Sequence, residues 1–332
     1  MVARILASVT AAIVAAGALT AQTAAVAKAA NAGNKTSQVP RLADGHPSLQ
    51  GIWTNATITP LERPAQYGNK LTLNDKEAAQ FEHQNNDNLY TDRRSSDAER
   101  DRDHAYNSLF FDRGTELARV DGVKRTSLII DPPDGKLPPL TPQARERISG
   151  RVRNSYDSVK NRPLGERCIL GFGSTSGPPM MPVLYNNNYQ IVQTPSTIMI
   201  MVEMVHDVRK IHMDRRQHLP QNIRLWNGDS IGRWEGDTLV VDTTNFTDKT
   251  SFRGSSPNMQ IVERFTRTDE GTILYKWTIT DPESFTKPFT AEYPFLAAQG
   301  PVYEYACHEG NYAMPDILGG ARKMDAAGRE NR

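Results

Sequence analysis

Cysteine is scarce in this chain: Cys168 and Cys307 stand alone among 332 residues, and they form no C-x-x-C pair. A thiol redox role is therefore not expected. An excess of one charge sign is also lacking. Lys and Arg number 39 against 38 Asp and Glu, a formal net charge of +1, so nothing in the sum favours nucleic acid as a partner. No H-E-x-x-H, G-x-S-x-G, G-x-G-x-x-G or G-x-x-x-x-G-K-[ST] occurs. The zinc-protease, serine-hydrolase, dinucleotide and P-loop classes are set aside with them. The stretch GFGSTSG (171–177) has the glycines of a phosphate cradle but no downstream Lys or helix, and reads as a loop.

A long apolar run is missing as well. The longest, Ile5 to Leu19, follows the single basic residue Arg4 and precedes Ala25-Val26-Ala27. It falls short of the ~20 residues that span a bilayer. Basic start, short apolar core and small-residue exit predict a secretory signal over 1–27 and no membrane insertion. Export to a periplasm or beyond is expected. In an oxidising compartment Cys168 and Cys307 read as a disulfide, worth roughly 4–5 kcal/mol across so long a loop in the chain-entropy model; two separate buried thiols are the alternative.

What is present falls into two regions. From 28 to 167 the chain is irregular and charged. PRLADGHPSLQGIW (40–53) reads as an extended strap, 74–84 as a short helix, 92–103 as a solvated charged stretch, and TSLII (126–130) as a strand stopped by Asp131-Pro132-Pro133. A helix is predicted from Thr141, with Pro142 at its first position, to about Ser158. From 168 to 320 the pattern turns to β. NYQIVQT, TIMIMVEMV, DVRKIHM, DTLVVDTT, QIVERFTRT, TILYKWTIT, PFTAEYPF and VYEYAC are rich in Val, Ile, Tyr, Thr and Phe and separated by tight turns. TILYKWTIT alternates Ile273, Tyr275, Trp277 and Ile279 with Leu274, Lys276 and Thr278, a period of two. The fold class expected is mainly β: an antiparallel meander closed into a lipocalin-like barrel with a pocket inside, a sandwich being the alternative.

Polar residues on these strands are the candidates for chemistry. Glu203 lies among Met201, Met204 and Val205; burial there would raise its pKa and suit an acid or base. Its structural alternative is an ion pair with Arg209 or Arg264. Of seven histidines, His206 is the best acid–base candidate. It meets Glu203 only if a turn falls at Val205-His206-Asp207. Arg209 is the anion-stabilising candidate and Asp242 the orienter, although Asp242 equally suits a turn cap. Either Glu263 or Arg264 faces inward. Tyr189, Asn245, Glu263, Trp277 and Glu309 complete the expected ligand-binding set. His212 and His218 sit in a basic stretch and read as surface. His206, His212 and His308 match no recognised zinc spacing, and no metal or cofactor is expected.

The segments RLADGHPSLQGIW, ERCI, NNNYQIVQTP, EMVHDVRKIHMD, SIGRWEGDTLVVDTTNF, VERFTRT, TITDPESFTKPF and YEYACHEGN together resemble a family of exported bacterial proteins. Its members carry a P-R-x-x-D-G-x-P-x-L-x-G-x-W strap and a G-R-W-E-G-D-T-L-V-V-D-T block. The resemblance runs from about Pro40 to Asn311. It implies a shared pocket in which Glu203, His206, Arg209, Asp214, Asp242, Glu263 and Glu309 match recurring positions. The charged insert at 82–113 and GFGSTSG depart from the family pattern.

Two functions follow as expectations. One is a cofactor-independent lyase or isomerase acting on a small apolar or aromatic molecule in the barrel, with His206 and Glu203 moving protons. The other is a non-catalytic periplasmic binding protein for a ligand of the same kind. They differ in whether Glu203, His206 and Arg209 converge on the pocket, or only Met, Tyr, Trp and Val line it.

Overall fold

Alternating β-branched and aromatic residues dominate the chain from 188 to 297, and that alternation builds the core. A computed structural model describes residues 39–89, 111–175, 177–250 and 252–330. The expected signal at 1–27 and the charged stretch at 92–103 lie outside the described residues.

The strap runs into strand β1 (Gly51–Thr54). A small sheet follows, with β2 (Thr72–Leu73), β3 (Arg119–Val120) and β4 (Val123–Arg125) in the order β2-β4-β3. Helix α1 (Asp75–Leu89) packs on it around Ile58, Leu73, Ala78 and Leu117. The Asn74 side chain accepts from Glu77 N at 2.9 Å and Glu77 reaches back to Asn74 N at 3.1 Å, so two orphan donors of the first turn are met. Strand β5 (Ile129–Asp131) and helix α2 (Pro142–Arg153) come next, Thr141 capping α2 through Ala144 N. The helix ends earlier than the predicted Ser158.

Strands β6 (Asn188–Gln193), β7 (Thr197–Val202), β8 (Val208–His212), β9 (Asp229–Glu235), β10 (Thr238–Thr244), β11 (Gln260–Arg267), β12 (Thr272–Thr280) and β13 (Phe289–Ala297) pair in sequence order. Strand β1 joins β6 on one side and β13 on the other, Trp53 facing both Tyr189 and Ala297. The result is a closed, nine-stranded barrel. Its one departure from an antiparallel meander is β8–β9, which are parallel through Ile211↔Ser230 and His212↔Ile231. A parallel neighbour needs a crossover of a dozen or more residues, and 213–228 supplies it. Helix α3 (Ala313–Glu330) follows the barrel. No described helix is long and apolar enough to cross a membrane.

VYEYAC is not a strand: 301–306 is irregular. The physical reason is closure. The start of β13 pairs with β5 and its end with β1, so β13 itself offers no open ladder to the segment that follows it. Cys307 instead bonds to Cys168, and the expected disulfide is present.

Inside the barrel the alternation has its full effect. Ile273, Tyr275, Trp277 and Ile279 of β12 are completely buried, while Leu274, Lys276 and Thr278 remain partly exposed. Each buried side chain contributes about 1.5–3 kcal/mol as an upper estimate. The interior expected to hold a ligand is occupied by rings: Tyr189 stacks on Phe295 at 5.2 Å, and Tyr275 meets Phe265 at 4.9 Å and Tyr293 at 5.3 Å.

Candidate functional site

One layer of the barrel interior is charged. Arg209 on β8 and Glu263 on β11 form an ion pair whose side chains are 1% and 0% exposed. Arg209 Nη1 donates to Glu263 Oε1 at 2.8 Å, and Nη2 to Oε2. The guanidinium also donates to Ser230 Oγ at 3.1 and 3.2 Å and to Thr243 Oγ1 at 3.0 Å. Tyr275 donates its hydroxyl to Glu263 Oε1 at 2.6 Å. Burial, and then the Glu263 charge, push the Tyr275 phenol well above its ordinary pKa, so it stays a donor. Every charge in this layer has a partner. Of the pair Glu263 and Arg264, it is Glu263 that points inward; Arg264 faces out to Glu235 at 2.9 Å.

Above this layer residues 171–175 and 177–183 close the barrel end. Their main chain is held by side chains rising from the interior. Asn55 Nδ2 and Tyr293 OH both donate to Met180 O at 2.8 Å, Met180 N donates to Tyr275 OH at 3.2 Å, and Tyr189 OH donates to Thr175 O at 3.1 Å. Trp277 Nε1 donates to Tyr293 OH at 3.1 Å and completes the set. Tyr189 and Trp277, expected to touch a ligand, are wholly buried and spend their polar atoms on this plug and its supports.

The other candidates are scattered. Glu203 is 4% exposed at the end of β7, where its Oε2 accepts from Asn188 Nδ2 at 2.8 Å. The predicted turn does follow, over Met204–His206, with Val205 at φ 66° and His206 at φ 45°. That left-handed backbone leaves the His206 side chain exposed, with no side-chain bond to Glu203. Asp112 neighbours Glu203. It accepts from Asn187 Nδ2 at 2.9 Å, and its packed surroundings raise its carboxyl pKa, with the Glu203 charge adding to the effect. Glu309 and His308 are exposed after the disulfide. His206, His212 and His308 do not come together, and among the described residues no group of three His, Cys, Asp or Glu is placed to hold a metal ion.

Asp242 lies on the outer face of β10, gripped by Gln260 Nε2 at 2.9 and 3.0 Å. Beside it stands His218, which reads as a surface residue in the sequence. Its Nδ1 lies 3.0 Å from Asp229 Oδ2 and its Nε2 3.8 Å from Asp242 Oδ1. Burial alone would raise the Asp229 carboxyl, but Leu219 N–H, Arg215 and His218 outweigh it and hold the pKa below the ordinary range. Asn245 Nδ2 donates to Leu219 O at 2.9 Å. Asn245 and Asp229 thus moor the β8–β9 crossover, and His218 is the imidazole set between two carboxylates.

Two adjoining clefts open at the plugged end. The first, about 480 Å³, is walled by the plug and the β10–β11 loop: Leu164, Leu170, Phe172, Met181, Phe252 and Met259, with Lys249 and Arg253 at its edge. The second, about 620 Å³, lies between the end of α2 and 160–164 and is lined by Arg151, Tyr156, Lys160, Arg162 and Lys249. Pro163, Leu164 and Lys249 belong to both. These volumes suit a small organic molecule. Gly254 allows α2 to approach: it adopts φ 93°, and a Cβ there would stand 2.5 Å from Ile148 Cδ1. Glu203, His206, Arg209 and Asp242 line neither cleft.

Sequence reasoning missed these clefts because their walls are loops, which carry no periodicity. The Pro-Pro pair and glycines of 171–179 marked a loop but not its place in the barrel mouth. Comparisons with protein-family models, curated proteins and solved structures find no match to this chain.

Proposed function

We propose that the chain is an exported binding protein that takes a small apolar or aromatic molecule in the first cleft at the plugged end of the barrel. The observation that carries this reading is the lining. Leu164, Leu170, Phe172, Met181, Phe252 and Met259 offer apolar surface, and the expected acid–base residues stand elsewhere. The Cys168–Cys307 bridge supports export, since such bonds persist in oxidising compartments. The test is titration with N-phenyl-1-naphthylamine, a neutral aromatic probe whose fluorescence rises in apolar sites. Saturable binding to wild type, weakened about tenfold or more in Phe172→Asp, supports the reading. Non-saturable binding, or equal binding by the variant, refutes it. Phe172 is 39% exposed, so the substitution spares the core.

A second reading, an acid–base enzyme acting on such a molecule, is favoured by the Asp229–His218–Asp242 arrangement rather than by His206. Nδ1 of His218 is engaged by Asp229, which orients the ring and leaves Nε2 as the atom to exchange a proton. Incubating wild type and His218→Gln with hydroxylated aromatic compounds, and following products by mass spectrometry, separates the readings. Turnover lost in the variant would replace binding by catalysis.

A further inference from the structure

The two clefts differ in chemistry while sharing a wall. In the first, apolar side chains predominate beside Lys249 and Arg253; in the second, Arg151, Lys160, Arg162 and Lys249 contribute four cations, and no carboxylate lines either cleft among the described residues. Nearby acids offset this only in part. Arg162 is satisfied by Glu166, which accepts from Nε and Nη2 at 2.8 and 2.9 Å, and it lies over the Tyr156 ring at 4.5 Å. Arg151 spends one donor on the main-chain oxygen of Asp248 at 2.6 Å, a neutral acceptor. Lys249 has Asp248 at 3.7 Å, a loose contact between exposed groups. Burial, and then the neighbouring Arg147 charge, depress the Arg151 pKa, with the Asp248 charge opposing them.

We infer that the natural ligand is an amphipathic organic anion: an apolar or aromatic body in the first cleft and an acidic group beside Lys249, held by Arg151 and Lys160 in the second. This deepens, and rests on, the binding function proposed above. Lys249 is the charged residue common to both clefts, so a molecule crossing from one to the other passes it. A carboxylate, sulfonate or phosphate ester at that point would gain charge-assisted hydrogen bonds that a neutral molecule could not. An inorganic anion alone would fill only the basic half.

The test compares two probes of similar aromatic body on the full chain. One is neutral N-phenyl-1-naphthylamine; the other is 8-anilinonaphthalene-1-sulfonate, which carries an anion. Wild type should bind the sulfonate about tenfold more tightly than the neutral probe, and added salt should erode that preference. Lys249→Gln with Lys160→Gln should bring sulfonate binding down to the level of the neutral probe. Both lysines are exposed, so folding is not at stake. Equal affinities in wild type, or a sulfonate affinity untouched by the double substitution, overturns the inference while the apolar binding function stands. If neither probe binds saturably, the underlying function falls with it. Inorganic phosphate is the control: competition by phosphate as strong as by the sulfonate would show a bare anion site and refute the amphipathic ligand.

Discussion

Replacing Glu263 by Gln strikes the most deeply buried charge among the described residues. The carboxylate is 0% exposed and takes hydrogen bonds from Arg209 Nη1, Arg209 Nη2 and Tyr275 OH. The amide keeps the shape but removes the negative charge, and turns an NH₂ toward a donor. Arg209, itself 1% exposed, is then a cation with only the Ser230 and Thr243 hydroxyls for company. Breaking such a pair from one side costs about 3–5 kcal/mol, a fifth or more of the stability typical of a folded domain. At about 2–4 °C per kcal/mol for a chain of this order of size, the melting temperature should fall by roughly 6–20 °C. The assay is thermal and urea unfolding followed by circular dichroism. A fall of less than about 2 °C would refute the view that this ion pair is dry and coupled. The double variant Arg209→Met with Glu263→Leu sharpens the test. Removing both charges should recover most of the loss, because a well-packed apolar pair is about as good as a buried ionic one. The hydroxyls left behind still have partners: Ser230 and Thr243 lie 2.9 Å apart, and Tyr275 keeps Met180 N.

Two further outcomes concern acid and reduction. Acid should destabilise the protein in two steps. Burial, then Arg215 and Lys210, hold His212 below its ordinary value, so stability falls as pH drops below about 6.5 toward its folded pKa; Asp229, depressed by its donors, loses its contribution below about pH 4. Melting temperatures measured against pH should show His212→Asn flattening the upper step and Asp229→Asn the lower, and unchanged slopes in both would contradict these assignments. The Cys168–Cys307 bridge spans a sequence separation of 139, for which chain entropy predicts about 5 kcal/mol. Cys168→Ser with Cys307→Ser should lower stability by up to that amount and speed amide exchange at 163–170, the shared wall of the clefts; unchanged exchange there would show that the bridge does not brace the site.

How far the sequence foretold this structure depended on whether a residue's role was local. Strand β12 was legible to the residue, since TILYKWTIT carries its buried face in its own alternation. Thr141-Pro142 marked the start of α2 in the same local way. Strand β9 was not legible. DSIGRWE alternates poorly and is absent from the expected strands; its pairing beside β8 is set by the crossover, which His218, Arg215 and Asn245 moor from a distance. VYEYAC failed in the opposite sense, having strand composition but no free edge on β13, the strand it follows. The site residues divide likewise. Glu203 was right as a buried carboxylate, yet its partner is Asn188 rather than Arg209. His206 was singled out for its imidazole, and the expected turn, formed over Met204–His206, leaves it exposed rather than bonded to Glu203.

Net charge says little about a single cleft. A sum of +1 averages over the whole surface. The structure spends its acids in particular places: Glu263 inside the barrel, Glu235 and Asp237 against Arg264 and Arg41 at a hairpin, Glu292 beside Arg125. Arg151, Lys160 and Lys249 collect at a groove whose lining has no carboxylate. Recognition depends on that local excess, since screening limits a charge's reach to about 8–10 Å. The filled barrel makes the excess usable. Its interior hydrogen bonds fix Met180 and Thr175, and through them the wall at 171–175 and 177–183 on which a ligand's apolar part would rest. A wall held from beneath loses little freedom on binding, and that is where affinity for a small molecule is gained or lost.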